Sequence, residues 1–252
     1  MGHYAAQENE LIWGLKAGRK LGNALYLEAA LDKTPYYYTL ASVQLANAIM
    51  MLNKELSLTL NHKEKWLGKA AFESNEFAKN ETVKTRYVWL LAPIIHREKL
   101  KWSMGYAYSY SHSDSLTFLP ETDAGGEYIP NPDGSLLGVY SPYFSPKNQS
   151  VHWALLSFQV PLGKKIEWKN RLSCGVYAVA DNPYLYENTN PMGEPVVEYG
   201  YTEQPYYPAE WESTLAFHFW EKLDMQVGYY YQRLFFYTAQ GGRIELKYRL
   251  GK

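Results

Sequence analysis

Residues 148–181 read NQSVHWALLSFQVPLGKKIEWKNRLSCGVYAVAD, and the fold turns on how that stretch is read. From Ile166 onward, Ile166, Trp168, Leu172, Cys174, Val176, Ala178 and Ala180 share one parity, with Asn170 their only polar member. Glu167, Lys169, Arg171, Ser173, Gly175 and Tyr177 share the other. Alternation of period two over that length specifies a strand with one apolar and one polar face. Upstream, Val151 to Leu162 alternates less cleanly, yet Ala154, Leu156, Phe158, Val160 and Leu162 fall on one side. Only Gly163-Lys164-Lys165 separates the two runs, which predicts a hairpin. Each arm exceeds the usual ~5–6 residues of a soluble sheet and reaches the ~9–11 that a tilted strand needs to cross a bilayer.

Composition agrees with a chain that meets lipid. Its 252 residues include 24 Tyr, 8 Trp and 9 Phe, yet mean hydropathy is -0.41. A soluble domain of this length buries a good core, so length alone decides nothing. Aromatic residues suit a surface that is apolar at one end and wet at the other. Membrane barrels carry them in girdles at both interfaces and look hydrophilic on average because their inward positions are polar. The net charge of -1, from 25 basic and 26 acidic residues mixed along the chain, gives no reason to expect nucleic acid. A single cysteine, Cys174, excludes an intramolecular disulfide framework and a Cys-based zinc site; its parity makes it a buried or lipid-facing thiol. No run approaches the ~18–20 apolar residues of a membrane helix. The longest, Tyr87 to Ile95, contains Pro93. No signal peptide is visible, and Met1-Gly2-His3 reads as a start added to an excised mature domain, so its absence does not argue for the cytoplasm.

Working outward, strands are expected at Leu11–Gly18, Ala24–Leu31, Tyr36–Met51, Leu56–Asn61, Val83–Ile95, Leu100–Ser111, Glu210–Trp220, Leu223–Arg233 and Gln240–Leu250. Helix competes at Leu45–Lys54, but the tyrosine triplet at 36–38 favours β. Residues 62–82 read as a charged loop with a short helix at Lys69–Phe77, and residues 112–147 and 182–208 as long loops. Short and long connections alternate, as in transmembrane barrels with tight turns at one rim and long loops at the other. About eleven strands are counted on this reading; since bacterial barrels usually have an even number, one is missed or lies upstream. The expected fold is all-β: an antiparallel transmembrane β-barrel of about 12 to 16 strands, with short periplasmic turns and long external loops. Residues 1–252 form one domain on this reading, the C-terminal part of a longer protein.

Tyr143-Phe144-Ser145-Pro146-Lys147-Asn148, followed by a strand, a short turn and a Trp-bearing strand, resembles the entry to a known barrel family. That family comprises the outer-membrane barrels that follow tetratricopeptide repeats in bacterial exopolysaccharide secretion proteins, the C-terminal domain of cellulose synthase operon protein C among them. The likeness continues in Glu221-Lys222-Leu223-Asp224 and in Arg243 to Leu250, and so covers the last half of the chain. It implies a Gram-negative outer membrane, a periplasmic helical-repeat scaffold upstream, and passage of a cellulose-like polysaccharide chain through a pore in outer-membrane lipid. It implies no enzyme activity and no cofactor. Two other classes stay open: a structural or assembly barrel with a closed lumen, and an outer-membrane lipid-modifying enzyme.

The polar parity is the candidate site. Lys16, Glu28, Lys84, Arg86, Lys101, Glu167, Lys169, Arg171, Glu212, Asp224, Arg243, Glu245, Lys247 and Arg249 all read as opposite the apolar face. A Lys or Arg facing lipid at the midplane costs about 2–4 kcal/mol, so these side chains are expected to line a lumen. Tyr26, Tyr177 and Tyr230 share that parity and offer rings to sugars, or else simply fill the interior. Gly14, Gly105, Gly175 and Gly228 do too, where missing side chains would widen the lumen or let a strand bend. Catalytic signals are weak. In Tyr110-Ser111-His112-Ser113-Asp114-Ser115, His112 and Asp114 share a parity while Ser113 points away, which fits a solvated strand end better than a nucleophile and its base. Asp114, Asp123, Glu127 and Asp133 offer carboxylates for calcium, but without an Asp-x-Asp-x-Asp-Gly pattern an ordinary acidic loop is the plainer reading.

Overall fold

The computed structural model describes residues 11–36, 49–62, 65–77, 81–220, 223–234 and 238–248. Its strands in chain order are β1 (Trp13–Leu21), β2 (Leu25–Tyr36), β3 (Ile49–His62), β4 (Trp66–Glu76), β5 (Thr82–Arg97), β6 (Leu100–Ser113), β7 (Phe118–Pro120), β8 (Gly138–Tyr140), β9 (Gln149–Pro161), β10 (Ile166–Thr189), β11 (Pro195–Pro205), β12 (Ala209–Trp220), β13 (Leu223–Arg233) and β14 (Thr238–Tyr248). Twelve of them form one antiparallel sheet, ordered β1-β2-β3-β4-β5-β6-β9-β10-β12-β13-β14, with β11 beside the far half of β10. The short strands β7 and β8 pair with each other inside the 114–148 connection. Among the described residues there is no helix, so none is long and apolar enough to cross a membrane.

The organising hairpin forms as its alternation requires, β9 against β10, with Gly163 at φ +88° in its turn. Three expected loops turn out to contain strands, the one at 112–147 holding the short β7–β8 pair. The helix expected at Lys69–Phe77 is strand β4, paired with β3 from Leu52↔Glu76 to His62↔Trp66. Ala70 and Ala71 fall on opposite faces of that strand and carry no polarity signal, so its period of two is hidden in the sequence. The loop expected at 182–208 is the outer half of β10 and the whole of β11, closed by a turn in which Gly193 N–H donates to Asn190 O. The middle of the strand expected at Tyr36–Met51 lies outside the described residues, as do Glu221, Lys222, Arg249 and Leu250.

Tight connections gather at one end of the sheet: 22–24, the His62-to-Trp66 link, 98–99 and 162–165. The 114–148 connection and the β10–β11 hairpin lie at the other. Along the path of eleven paired strands, direction alternates, so β1 and β14 both run toward the tight-turn end.

Directly opposed residues in an antiparallel pair share a face, so register carries each face across the sheet. One polar row reads Lys16↔Ala30↔Glu55↔Glu73↔Thr85↔Ser111↔Gln149. Another reads Lys101↔Gln159↔Lys169↔Thr214↔Gly228↔Arg243. The opposite face carries rows such as Met104↔Leu156↔Leu172↔Trp211↔Tyr231. Burial is the reverse of a water-soluble sheet. Leu56, Met104 and Leu246 on the apolar face are 54%, 50% and 66% exposed, while Ser57, Thr214 and Ala216 on the polar face are buried. Asn170, the polar residue on the apolar face, is also buried, and Trp211 Nε1 donates to its Oδ1 at 3.3 Å.

Candidate functional site

A single cavity of about 660 Å³ is lined from β4, β5, β6, β9, β10 and β12. Six adjacent strands at ~4.8 Å spacing would extend over roughly 24 Å if flat, so a shared cavity means that the sheet curls around its polar face. Tyr87, Trp89, Leu91, Trp153 and Leu155 form an apolar wall. Ser109, Ser157, Ser173, Arg171 and Glu210 supply hydroxyls and charges beside it. The large rings come from β5 and β9, the strands whose alternation is least clean, which is why the sequence pattern does not single them out.

Charges continue the polar face on either side. Toward β1, Lys69 Nζ lies 2.5 Å from Glu55 Oε1 and 5.4 Å from the Tyr87 ring centroid, and Lys16 lies 4.0 Å from Glu28. Toward β14, Glu212 receives Arg171 at 3.6 Å on one oxygen and Arg243 at 3.3 Å on the other. These three and Lys169 line a second cavity of about 190 Å³ with Thr214 and Gln226. Lys169 reaches Glu167 at 2.7 Å, Lys247 reaches Glu245 at 3.1 Å, and His218 Nδ1 meets Asp224 at 2.7 Å. The walls differ in packing: the Lys69 and Glu55 side chains are 25% and 16% exposed, those of Arg171 and Arg243 77% and 59%. Ion pairs therefore fill the β3–β5 wall and stand in solvent along β10–β14.

Register places Lys16, Tyr26, Glu28, Lys101, Glu167, Lys169, Arg171, Glu212, Tyr230, Glu245 and Lys247 on the polar face. Three expected members lie on the other face. Lys84 and Arg86 oppose His112 and Tyr110, and the Arg86 guanidinium carbon sits 5.9 Å from the Phe72 ring centroid. Strand β5 carries apolar residues on both faces, so its parity is not readable from composition. A long basic side chain near the strand end can keep its head in the interfacial zone. Tyr177 opposes His152 on the apolar face because the register shifts between Gly175 and Tyr177. The extra residue, Val176, reverses every later parity in β10, which also brings Ala178 and Ala180 to the polar face, where both are buried. Three of the four inward glycines leave no open space, whereas at Gly228 an added methyl would sit 3.2 Å from the flexible Arg243 side chain. A methyl at Gly175 would strike the Pro208 ring, one at Gly105 the Leu90 carbonyl, and one at Gly14 the Asp32 carboxylate.

The 114–148 connection bends back over the mouth of the concavity. Tyr143, 1% exposed, packs among Tyr36, Phe77 and Val83, with Ile49 and Met51 alongside. Register assigns Tyr36, Ile49, Met51 and Val83 to the polar face, so the Tyr143 end of the connection docks inside the curl. The Tyr143 hydroxyl donates to Glu81 Oε2 at 2.6 Å and lies 3.0 Å from Ser115 Oγ. Ser145 Oγ accepts from Thr117 N at 2.9 Å, and Tyr36 Oη accepts from Phe144 N at 3.2 Å. At the far side Leu136 N donates to Leu185 O on β10, and Asn148 Nδ2 to Asp181 Oδ2 at 2.7 Å. The Tyr143–Asn148 motif is thus the anchor of a bridge from β2, β4 and β5 to β10. Burial first, then its bond to Glu81, pushes the Tyr143 phenol well above the usual tyrosine range.

The Tyr110–Ser115 segment holds no catalytic pairing. His112 Nδ1 lies 3.2 Å from Asn148 Oδ1, Ser113 Oγ donates to Thr82 O at 3.2 Å, and Asp114 accepts from Thr82 N at 2.8 Å. Two of the candidate calcium carboxylates in the loop, Asp123 and Asp133, cap local turns. Asp123 Oδ1 accepts from Gly125 N and Glu127 N, and Asp133 Oδ1 from Ser135 N and Oγ. No group of three or more potential ligand side chains occurs among the described residues.

No protein-family model and no curated protein sequence matches the chain. Among solved structures it is similar to a NanC porin in a rhombohedral crystal form, at a TM-score of 0.42 and 12% identity, over 94% of this chain and 92% of the porin.

Proposed function

We propose that this chain is an outer-membrane β-barrel domain whose polar concavity conducts hydrophilic solutes. The observation that carries the reading is the inverted sheet: an exposed apolar convex face, and a concave face bearing the solvent-exposed Arg171–Glu212–Arg243 pairs. Lipid in contact with the convex face removes the cost of exposing Leu56, Met104 and Leu246, while water in the concavity solvates the charges. In planar bilayers the refolded protein conducts on this reading, and Arg171→Gln shifts its anion/cation preference while Arg86→Gln does not. Equal shifts from both, or no conductance, would refute it.

The solute we favour is a polysaccharide chain leaving the cell, with a periplasmic helical-repeat scaffold delivering it. The Tyr143–Asn148 resemblance supports this, together with Tyr26, Tyr87, Trp89, Trp153 and Tyr230 on the polar face, since aromatic rings can stack on pyranose C–H faces. Deleting the gene in a polysaccharide-secreting strain tests it: surface polymer falls if the barrel exports it. A structural barrel with a closed lumen is the second reading, and the bridge over the mouth favours it.

A further inference from the structure

The outer half of β10 and strand β11 form a hairpin beyond the sheet, paired without interruption from Val179↔Pro205 to Thr189↔Pro195. Its two faces differ. On one, Leu185 is fully buried against Gly138 of the 114–148 connection, and Lys147 Nζ sits 5.6 Å from the Tyr201 ring centroid, so the connection covers the β10 part of this face while Tyr199 and Tyr201 on β11 stay 57% and 41% exposed. The other carries Asn182, Tyr184, Tyr186 and Asn188 opposite Gln204, Thr202, Gly200, Glu198 and Val196. By alternation from Ala178, that face continues the polar face of the sheet.

Tyr184 lies flat there because its cross-strand partner is Gly200: any side chain at Gly200 would collide with the ring. One ring face rests on β11 backbone, and the residue stays 42% exposed. Tyr186 follows with its centroid 5.9 Å away and planes 32° apart. Hydrogen-bonding groups are fixed beside the rings. Glu198 Oε2 accepts from Tyr186 Oη at 3.0 Å and from Asn188 Nδ2 at 3.1 Å, and Gln204 Oε1 accepts from Asn182 Nδ2 at 3.0 Å. These bonds leave Glu198 Oε1 and Gln204 Nε2 uncommitted by the same contacts. Residues 178–206 contain Asp181, Glu187, Glu194, Glu198 and Glu203 and no Lys, Arg or His. Such a surface repels an anionic chain and accepts hydroxyl donors.

We infer that this face is a binding platform for a neutral pyranose chain, Tyr184 and Tyr186 supplying flat stacking surfaces and Glu198 and Gln204 the hydroxyl contacts. It rests on the carbohydrate reading above and adds to it a site outside the cavity. The experiment uses the whole chain folded in a zwitterionic, sugar-free detergent and titrated calorimetrically with maltohexaose, cellohexaose and hexagalacturonate. At least one neutral hexaose binds, hexagalacturonate does not, and Tyr184→Ala weakens binding about tenfold while Tyr184→Phe changes it little. Gly200→Val, which unseats the ring, weakens it as well. Wild-type protein that binds neither neutral hexaose, or prefers the anionic one, overturns the inference; so does Tyr184→Ala with unchanged affinity, which would leave the ring a structural brace. Bilayer conductance of Tyr184→Ala separates the two readings. A wild type that binds hexaose but never conducts sinks the channel and leaves the platform standing, whereas one that conducts without binding does the opposite.

Discussion

Phe77 and Tyr143 stack with ring centroids 3.8 Å apart and planes 3° from parallel, joining the end of β4 to the longest connection in the chain. Tyr36 meets both rings edge-on, at 5.3 Å from Phe77 and 6.4 Å from Tyr143. This aromatic cluster anchors the bridge to the polar face of β2, β3 and β5.

Tyr143→Ala removes the stack and both hydroxyl contacts, a loss of about 3–5 kcal/mol for a buried aromatic ring. The bridge is expected to detach while the sheet, paired independently of it, persists. Proteolysis should then cut within 114–147, and bilayer conductance should rise. Tyr143→Phe keeps the stack and loses only the bonds to Glu81 and Ser115, a smaller cost of about 1–3 kcal/mol, and should stay protease-resistant. Unchanged conductance in Tyr143→Ala would show that the bridge does not limit the mouth.

The bridge should also have a defined pH window. Burial alone would raise the Asp114 carboxyl, but hydrogen bonds from the Thr82 hydroxyl and backbone N–H, with the Lys84 charge, together outweigh it and hold the group below the usual carboxylate range. Its folded pKa is depressed, so its stabilisation is whole above the unfolded value of about 3.9 and is lost as pH falls through the lower, folded one. Tyr143 has the opposite sign: its raised pKa keeps its contribution whole below about 10 and loses it as pH rises through the folded value. A spin label at Gly126 should therefore stay immobile across neutral pH and gain mobility only in strong acid or strong base. Asp114→Asn should weaken the anchor at neutral pH and remove the acid transition that Asp114 causes. A transition near pH 6 would contradict both assignments.

The two faces are tested by neighbours in β14. Leu246→Arg puts a cation on the apolar face, at a cost of about 2–4 kcal/mol if that position lies near the bilayer midplane. Lys247→Gln changes a polar-face residue whose contact is Glu245. The first should fold poorly into lipid, seen as loss of the heat-modifiable gel band, and the second should fold almost normally. Equal damage would mean that the apolar face does not meet lipid.

How legible the fold was depended on where polarity differed between faces. Strand β6 and the first half of β10 alternate cleanly, and their pairing follows directly. In β4, alanines on both faces erased the signal, and a strand read as a loop with a helix. The polar face was legible where charges fell in cleanly alternating strands, as at Lys169, Arg171 and Glu212, missed at Glu55, Lys69 and Glu73 in β3 and β4, and illegible in β5, where Tyr87, Trp89 and Leu91 turn inward as large apolar residues. A single inserted residue, Val176, was invisible to parity counting yet moved Tyr177 to the other face. The bridge over the mouth was hidden for a different reason: its anchor joins residues far apart in the chain, Tyr36, Phe77 and Tyr143, with no periodicity to relate them.

A test of whether the cavity conducts calls for a position whose side chain enters it without meeting another strand. Gly175 fails that condition, since its Cα faces the Pro208 ring and its N–H donates to Pro208 O at 2.8 Å. Gly175→Trp should therefore disturb the junction of β11 and β12 and lower folding yield, so a loss of conductance there would say nothing about a pore. Ser157 meets it. It lines the large cavity, opposes Ser103 on one neighbour and Arg171 on the other, and shares its strand with the Trp153 and Leu155 wall. In Ser157→Trp the sheet hydrogen bonds are untouched and an indole occupies part of the cavity of about 660 Å³. The variant should fold to a normal heat-modifiable band with reduced single-channel conductance, while Ser157→Ala conducts like wild type. If Ser157→Trp folds normally and conducts as the wild type does, the cavity is not on the conduction path, and solutes pass elsewhere or not at all.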